Sequence, residues 1–140
     1  MSFEEKFNIE RLVRASENFQ KTLDKAEEFE EFYKTDKDAE FVGEFIRLAV
    51  IQAYEIIIEL SWKMMQKWVT FNSENGVARM PKRELFRIAH QGGLIDDPVA
   101  WWTFFEGRND TSHIYKEEIA EKVYVLAKKF PPYLEEFIRC

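Results

Sequence analysis

The chain has 140 residues, 46% of them hydrophobic, which predicts one domain over 1–140 with its own core and argues against disorder. Its 20 basic and 26 acidic residues leave a net charge of −6, which argues against duplex DNA and leaves only a local basic patch to meet RNA. The single cysteine, Cys140, excludes a disulfide framework within the chain and predicts a reducing, cytoplasmic setting.

Glu4 and Glu5 are unlike the basic start of a secretory signal. The longest apolar stretch, Leu48 to Leu60, is interrupted by Gln52, Glu55 and Glu59. It falls short of the about 20 mostly apolar residues that a membrane span needs, so no membrane association is expected.

A first helix is predicted to begin at Phe7 or Asn8, with Asn8 as its N-cap. Ile9, Leu12, Val13, Ala15, Phe19, Leu23, Ala26 and Phe29 follow three- and four-residue steps among many Glu and Lys, the pattern of an outer amphipathic helix. The stretch Tyr33 to Asp38 breaks it, and Asp36 or Asp38 caps a second helix over Ala39 to Phe71. That helix is apolar on most of its surface, from Phe41 to Trp62, and so needs several partners, a second subunit among them.

Asn72 to Gly76 reads as a loop. Pro81 is expected in the first turn of a short third helix over Lys82 to His90, closed by Gly92 and Gly93. Asp97 then caps a fourth helix, with Pro98 at its first position. It carries Trp101, Trp102, Phe104, Phe105 and Gly107, then the segment Arg108 to Tyr115. A fifth helix starts near Glu117, and Pro131-Pro132 interrupts it before Tyr133 to Arg139. The fold class is therefore all-α: an antiparallel four- to five-helix bundle.

Chemistry is concentrated in few places. His90 and His113 are the only histidines, they sit on different predicted helices, and their spacing suggests no metal site. Gly92-Gly93 lacks the pattern of a phosphate loop. No cofactor is implied. On the second helix, Gln52, Glu55, Glu59, Lys63 and Gln66 share one face. Such a row is usually a solvated stripe, which the spacing alone favours over a groove facing a ligand.

The segment Arg108-Asn109-Asp110-Thr111-Ser112-His113-Ile114-Tyr115 is denser. His113 could move a proton near neutral pH, Arg108 could stabilise charge on a phosphate, and Tyr115 could orient a phosphate or stack on a base. On an ideal helix, residues five apart lie about 140° apart, so Arg108 and His113 diverge while Asn109 and His113 share a face. Arg108 and His113 must then converge at a fraying helix end or across a two-fold axis. By residue chemistry alone, a polar helix C-terminus is the better reading.

Arg108-x4-His113-x-Tyr115 resembles the signature of HEPN domains, in the form found in toxins encoded beside a minimal nucleotidyltransferase. Val50 to Glu55, Glu59 to Lys63, Pro81 to Ala89 and Gly93 to Asp96 occur in the order expected of that branch, the nucleotidyltransferase substrate-binding proteins and HepT-like toxins. The resemblance covers about Ile9 to Leu134 and implies a homodimer whose motifs meet in a cleft, with a minimal nucleotidyltransferase as partner. It implies one of two roles. The first is a metal-independent ribonuclease toxin using Arg108 and His113, with AMP transferred to Tyr115 by the partner. The second is a non-catalytic substrate-binding subunit of the transferase. Under the resemblance, Gln52, Glu55 and Glu59 are expected beside the Arg108–His113 cleft, with Asn109 as a further binding residue. The homodimer is expected to use part of the second helix and the aromatic row of the fourth.

Overall fold

In a computed structural model that describes residues 9–32, 39–71 and 80–139, the regular elements are helices. They are α1 (Glu10–Phe32), α2 (Ala39–Phe71), α3 (Lys82–Gln91), α4 (Pro98–Asp110), α5 (Glu117–Lys129) and α6 (Pro131–Arg139), with a 3₁₀ turn at Thr111–His113. The all-α bundle expected from periodicity is what the chain forms. The Asn8 and Asp36/Asp38 caps and the loop at Asn72 to Gly76 lie outside the described residues. Among those described, no helix is long and apolar enough to cross a membrane.

Local chemistry explains where the helices stop. α3 closes in a Schellman arrangement: the Gly93 N–H donates to the His90 carbonyl at 3.0 Å and the Leu94 N–H to that of Ala89 at 2.9 Å. Gly93 holds φ at 81°, a region that a Cβ disfavours, and Leu94 buries its side chain beside the turn. α4 starts as expected, with Asp97 Oδ1 accepting the Ala100 N–H at 3.0 Å and Pro98 in the first position.

Two boundaries differ from expectation. Pro81 stands just before α3 rather than in its first turn. The pair Pro131-Pro132 opens α6 instead of preceding it, because the first turn of a helix needs no N–H partners. This separates α6 from α5, and six helices stand among the described residues where four or five were expected.

The buried cluster draws on every helix, including Leu12, Ile57, Leu85, Trp101, Val123 and Leu134. Tyr54 of α2 lies near its centre, with ring centroids of Phe19 and Phe130 at 6.5 and 5.9 Å. Its hydroxyl donates to the Phe104 carbonyl of α4 at 2.5 Å. Burial, reinforced by the negative charge of Asp110, pushes this phenol far above its ordinary range, so it keeps its proton. Gly107 lets α4 approach closely: a Cβ there would lie 2.8 Å from Leu126 Cδ1 and 3.2 Å from the Tyr54 hydroxyl. The next residue is Arg108, so this contact fixes the backbone that carries it.

The aromatic row of α4 does not supply uncovered surface. Trp101 and Phe104 are buried, and Trp102 and Phe105 pack against the core. The surplus of apolar surface lies on α2 instead, at Phe41, Phe45, Leu48 and Ile56.

Candidate functional site

α4 ends because short hydroxyl side chains take over its last carbonyls. Thr111 Oγ1 donates to the Arg108 carbonyl at 2.7 Å and Ser112 Oγ to that of Asn109 at 3.2 Å. The chain then tightens into the 3₁₀ turn that carries His113. This removes the basis for placing Asn109 and His113 on one helical face, since the α-helix stops at Asp110.

Arg108 is held from two sides. Its Nη1 donates to Thr111 Oγ1 at 3.1 Å, and its Nε lies 3.3 Å from Glu59 Oε1 of α2. The second contact is an ion pair without hydrogen-bond alignment, because the buried Nε has no acceptor at good geometry. Glu59 also meets Lys63 at 3.5 Å. The side chains of Arg108 and Glu59 are 28% and 31% exposed, so the pair sits at the boundary between core and solvent.

An open groove of about 530 Å³ runs beside this pair, with Glu55, Glu59 and Lys63 on one wall and Arg108 on another. Arg11 and Arg14 of α1 complete it. The polar row of α2 therefore lines this open groove at Glu55, Glu59 and Lys63, with the Lys63 side chain 58% exposed. Gln52 of the same row is exposed and outside the groove lining. Arg11 and Arg14 carried no signal in the sequence, where two charges on an amphipathic helix look like ordinary surface.

His113 and Tyr115 are both exposed, Tyr115 at 76%, and their rings meet edge-on at 6.1 Å. Among the described residues, no side chain hydrogen-bonds the His113 imidazole. Asn109 is exposed, and Asp110 pairs with Lys122 at 3.3 Å. The other histidine stands apart: His90 donates from Nδ1 to the Ile95 carbonyl at 3.0 Å and ties the end of α3 to the next turn. Among the described residues, no three His, Cys, Asp or Glu side chains gather closely enough to hold a metal ion. A separate cavity of about 290 Å³ between α1, α2 and α5 is walled by Glu44, Arg47, Glu121 and Tyr124 and contains none of the expected site residues.

The family model for "nucleotidyltransferase substrate binding protein like" matches residues 7–139, nearly the whole chain. The chain belongs to this family. A "probable ribonuclease HepT" of Haemophilus influenzae is 31% identical over 97 residues, 68% of this chain and 66% of that relative, so the chain spans about two thirds of its length. A solved structure from the same organism, described as the fold of a substrate binding domain of a nucleotidyltransferase, superposes with a TM-score of 0.81. It is 24% identical and covers 96% of this chain and 97% of its own, which supports the shared fold of this nucleotidyltransferase substrate-binding family member.

Proposed function

We propose that this protein is a metal-independent endoribonuclease that works as a homodimer beside a minimal nucleotidyltransferase. The observation that carries the reading is a guanidinium held at a groove, followed on the next turn by an exposed imidazole. Glu59 and Thr111 hold Arg108 at the edge of a groove, and His113 stands exposed on the turn that follows. The name of the HepT relative supports the same reaction class.

In this reaction the RNA 2′-oxygen attacks the adjacent phosphorus and the bond to the 5′-oxygen breaks. His113 moves a proton, either from the 2′-hydroxyl or to the leaving oxygen. Arg108 stabilises the charge that builds on the phosphoryl oxygens. One imidazole cannot serve both transfers at once, and a second copy of the chain would supply the other. The exposed row Phe41, Phe45, Leu48 and Ile56 suits that copy, because Ile56 also lines the Arg108 groove. The hydroxyl of the exposed Tyr115 is the acceptor for a nucleotidyl group from the partner: it loses its proton, its oxygen bonds the α-phosphorus of a nucleoside triphosphate, and pyrophosphate leaves.

The test is cleavage of a mixed RNA substrate in excess chelator. The wild type should cut, and His113→Ala should be slower by about 10²–10⁴-fold. Arg108→Lys should also be impaired, because a point charge does not reproduce the fork. Equal cutting by wild type and His113→Ala would mean a contaminating nuclease. A second reading, the non-catalytic substrate-binding subunit, is favoured by one feature: Arg108 is turned largely into the protein, with Glu59 against its Nε. Absence of cleavage in the wild type would select it.

A further inference from the structure

Two tryptophans on neighbouring helices, Trp62 of α2 and Trp102 of α4, flank Phe105 with centroid separations of 6.3 and 5.7 Å. Each carries a cation from the start of α3. Lys82 Nζ lies 4.0 Å from the Trp62 ring centroid, and the Arg83 guanidinium carbon lies 4.6 Å from that of Trp102. Neither cation forms an ion pair among the described residues. Glu84, next along α3, is engaged by Arg87, and Glu59 is engaged by Lys63 and Arg108. Glu106, one turn beyond Trp102, is exposed.

Stability alone does not account for this patch. Among the described residues no acceptor meets the buried indole N–H groups of Trp62 and Trp102, an arrangement that costs about 1–3 kcal/mol per donor. Phenylalanine or leucine would fill the space without that cost. What the indoles provide is two flat, electron-rich faces on which cations are held in fixed orientation. An arginine lying on an indole keeps its forked edge available for a phosphate and its outer plane available for a base.

The patch is continuous with the Arg108 groove. Lys63 lines that groove and also approaches the Trp62 ring at 5.8 Å. Along α4, Trp102 and Arg108 are separated by about 9 Å of helix rise and about 120° around the axis, so the patch meets the groove through Lys63 rather than along α4. On a chain of net charge −6, Lys82 and Arg83 are two cations that form no ion pair among the described residues. The exposed apolar row that suits a protein surface begins at the other end of α2.

We propose that Lys82 on Trp62 and Arg83 on Trp102 extend the Arg108 groove into a track for single-stranded RNA. Lys82 and Arg83 take backbone phosphates, and the outer face of Arg83 stacks on a base next to the scissile step. The inference rests on the RNA-cleaving reading, and binding tests it separately from cleavage. The probe is a fluorescently labelled single-stranded RNA of mixed sequence, titrated into the His113→Ala protein by anisotropy at several salt concentrations. Lys82→Ala with Arg83→Ala in that background should weaken binding about tenfold or more and flatten the salt dependence by about 0.7 log unit per lost phosphate contact. Arg83→Lys should keep the salt slope and lose part of the affinity, because charge survives and stacking does not. Circular dichroism should show both variants folded.

Unchanged affinity and slope in the double variant would overturn the track, as would failure of the His113→Ala protein to bind RNA at all. Loss of nucleotidyltransferase association with RNA binding intact would also overturn it and make the patch a protein-docking face. Weakened RNA binding in the double variant, with no cleavage by the wild type, would keep the track and reject only the nuclease.

Discussion

The amino-terminal half of α2 leaves Phe41, Phe45 and Leu48 exposed at 63%, 60% and 46%, whereas the carboxy-terminal half buries Ile57, Met65 and Val69. Both halves are rich in large apolar residues, so intrinsic hydrophobicity does not separate them. Their neighbours do. Around Tyr54 the helix is closed in by α1, α4 and the α5–α6 junction, through Phe19, Phe104 and Phe130. Around Gly43 and Arg47 it meets α1 and α5 through Phe29 and Glu121, and its outer face is left open. An apolar face is therefore core or candidate interface according to how many helices reach it.

The largest expected effect lies in the closed half. Ile57→Ala should destabilise the fold by about 2–5 kcal/mol in denaturant unfolding, since it empties a fully packed position. A loss below 1 kcal/mol would mean that the site collapses easily and the contrast between the halves is weak. Gly107→Ala comes next. The added methyl meets Leu126 and the Tyr54 hydroxyl, so a loss of about 1–3 kcal/mol is expected. RNA cleavage should fall with it, because Arg108 follows Gly107 directly.

In the open half, Phe41→Ser with Phe45→Ser should change the stability of the dilute protein by only about 0.5 kcal/mol per site. Sedimentation should nevertheless shift from dimer to monomer. A wild type that sediments as a monomer at micromolar concentration would remove the interface from the comparison. The smallest effect on stability is expected from Glu59→Gln, which breaks a pair at the edge of the core, 28% and 31% exposed and worth less than about 1 kcal/mol. If Glu59 positions Arg108, this change should lower kcat more than it raises KM. An equal loss of stability and activity would make Glu59 merely structural.

The sequence by itself determined what depends on neighbours within about one turn. The bounds of α2 follow from periodicity, and the Asp97–Pro98 start of α4 and the glycine stop after α3 follow from capping, where each signal acts on adjacent backbone groups. So does the density of reactive groups from Arg108 to Tyr115, on which the family resemblance rests. The tertiary structure decided which faces meet. Glu59 and Arg108 are far apart in the chain and pair only because Gly107 brings α4 close to α2. The 3₁₀ turn takes His113 off the helix, although an ideal helix would have set it beside Asn109. The aromatic row of α4 turned inward, and the cations of α3 came to rest on Trp62 and Trp102. Such contacts are set by the packing of whole helices, and no local pattern encodes which partner a given face will find.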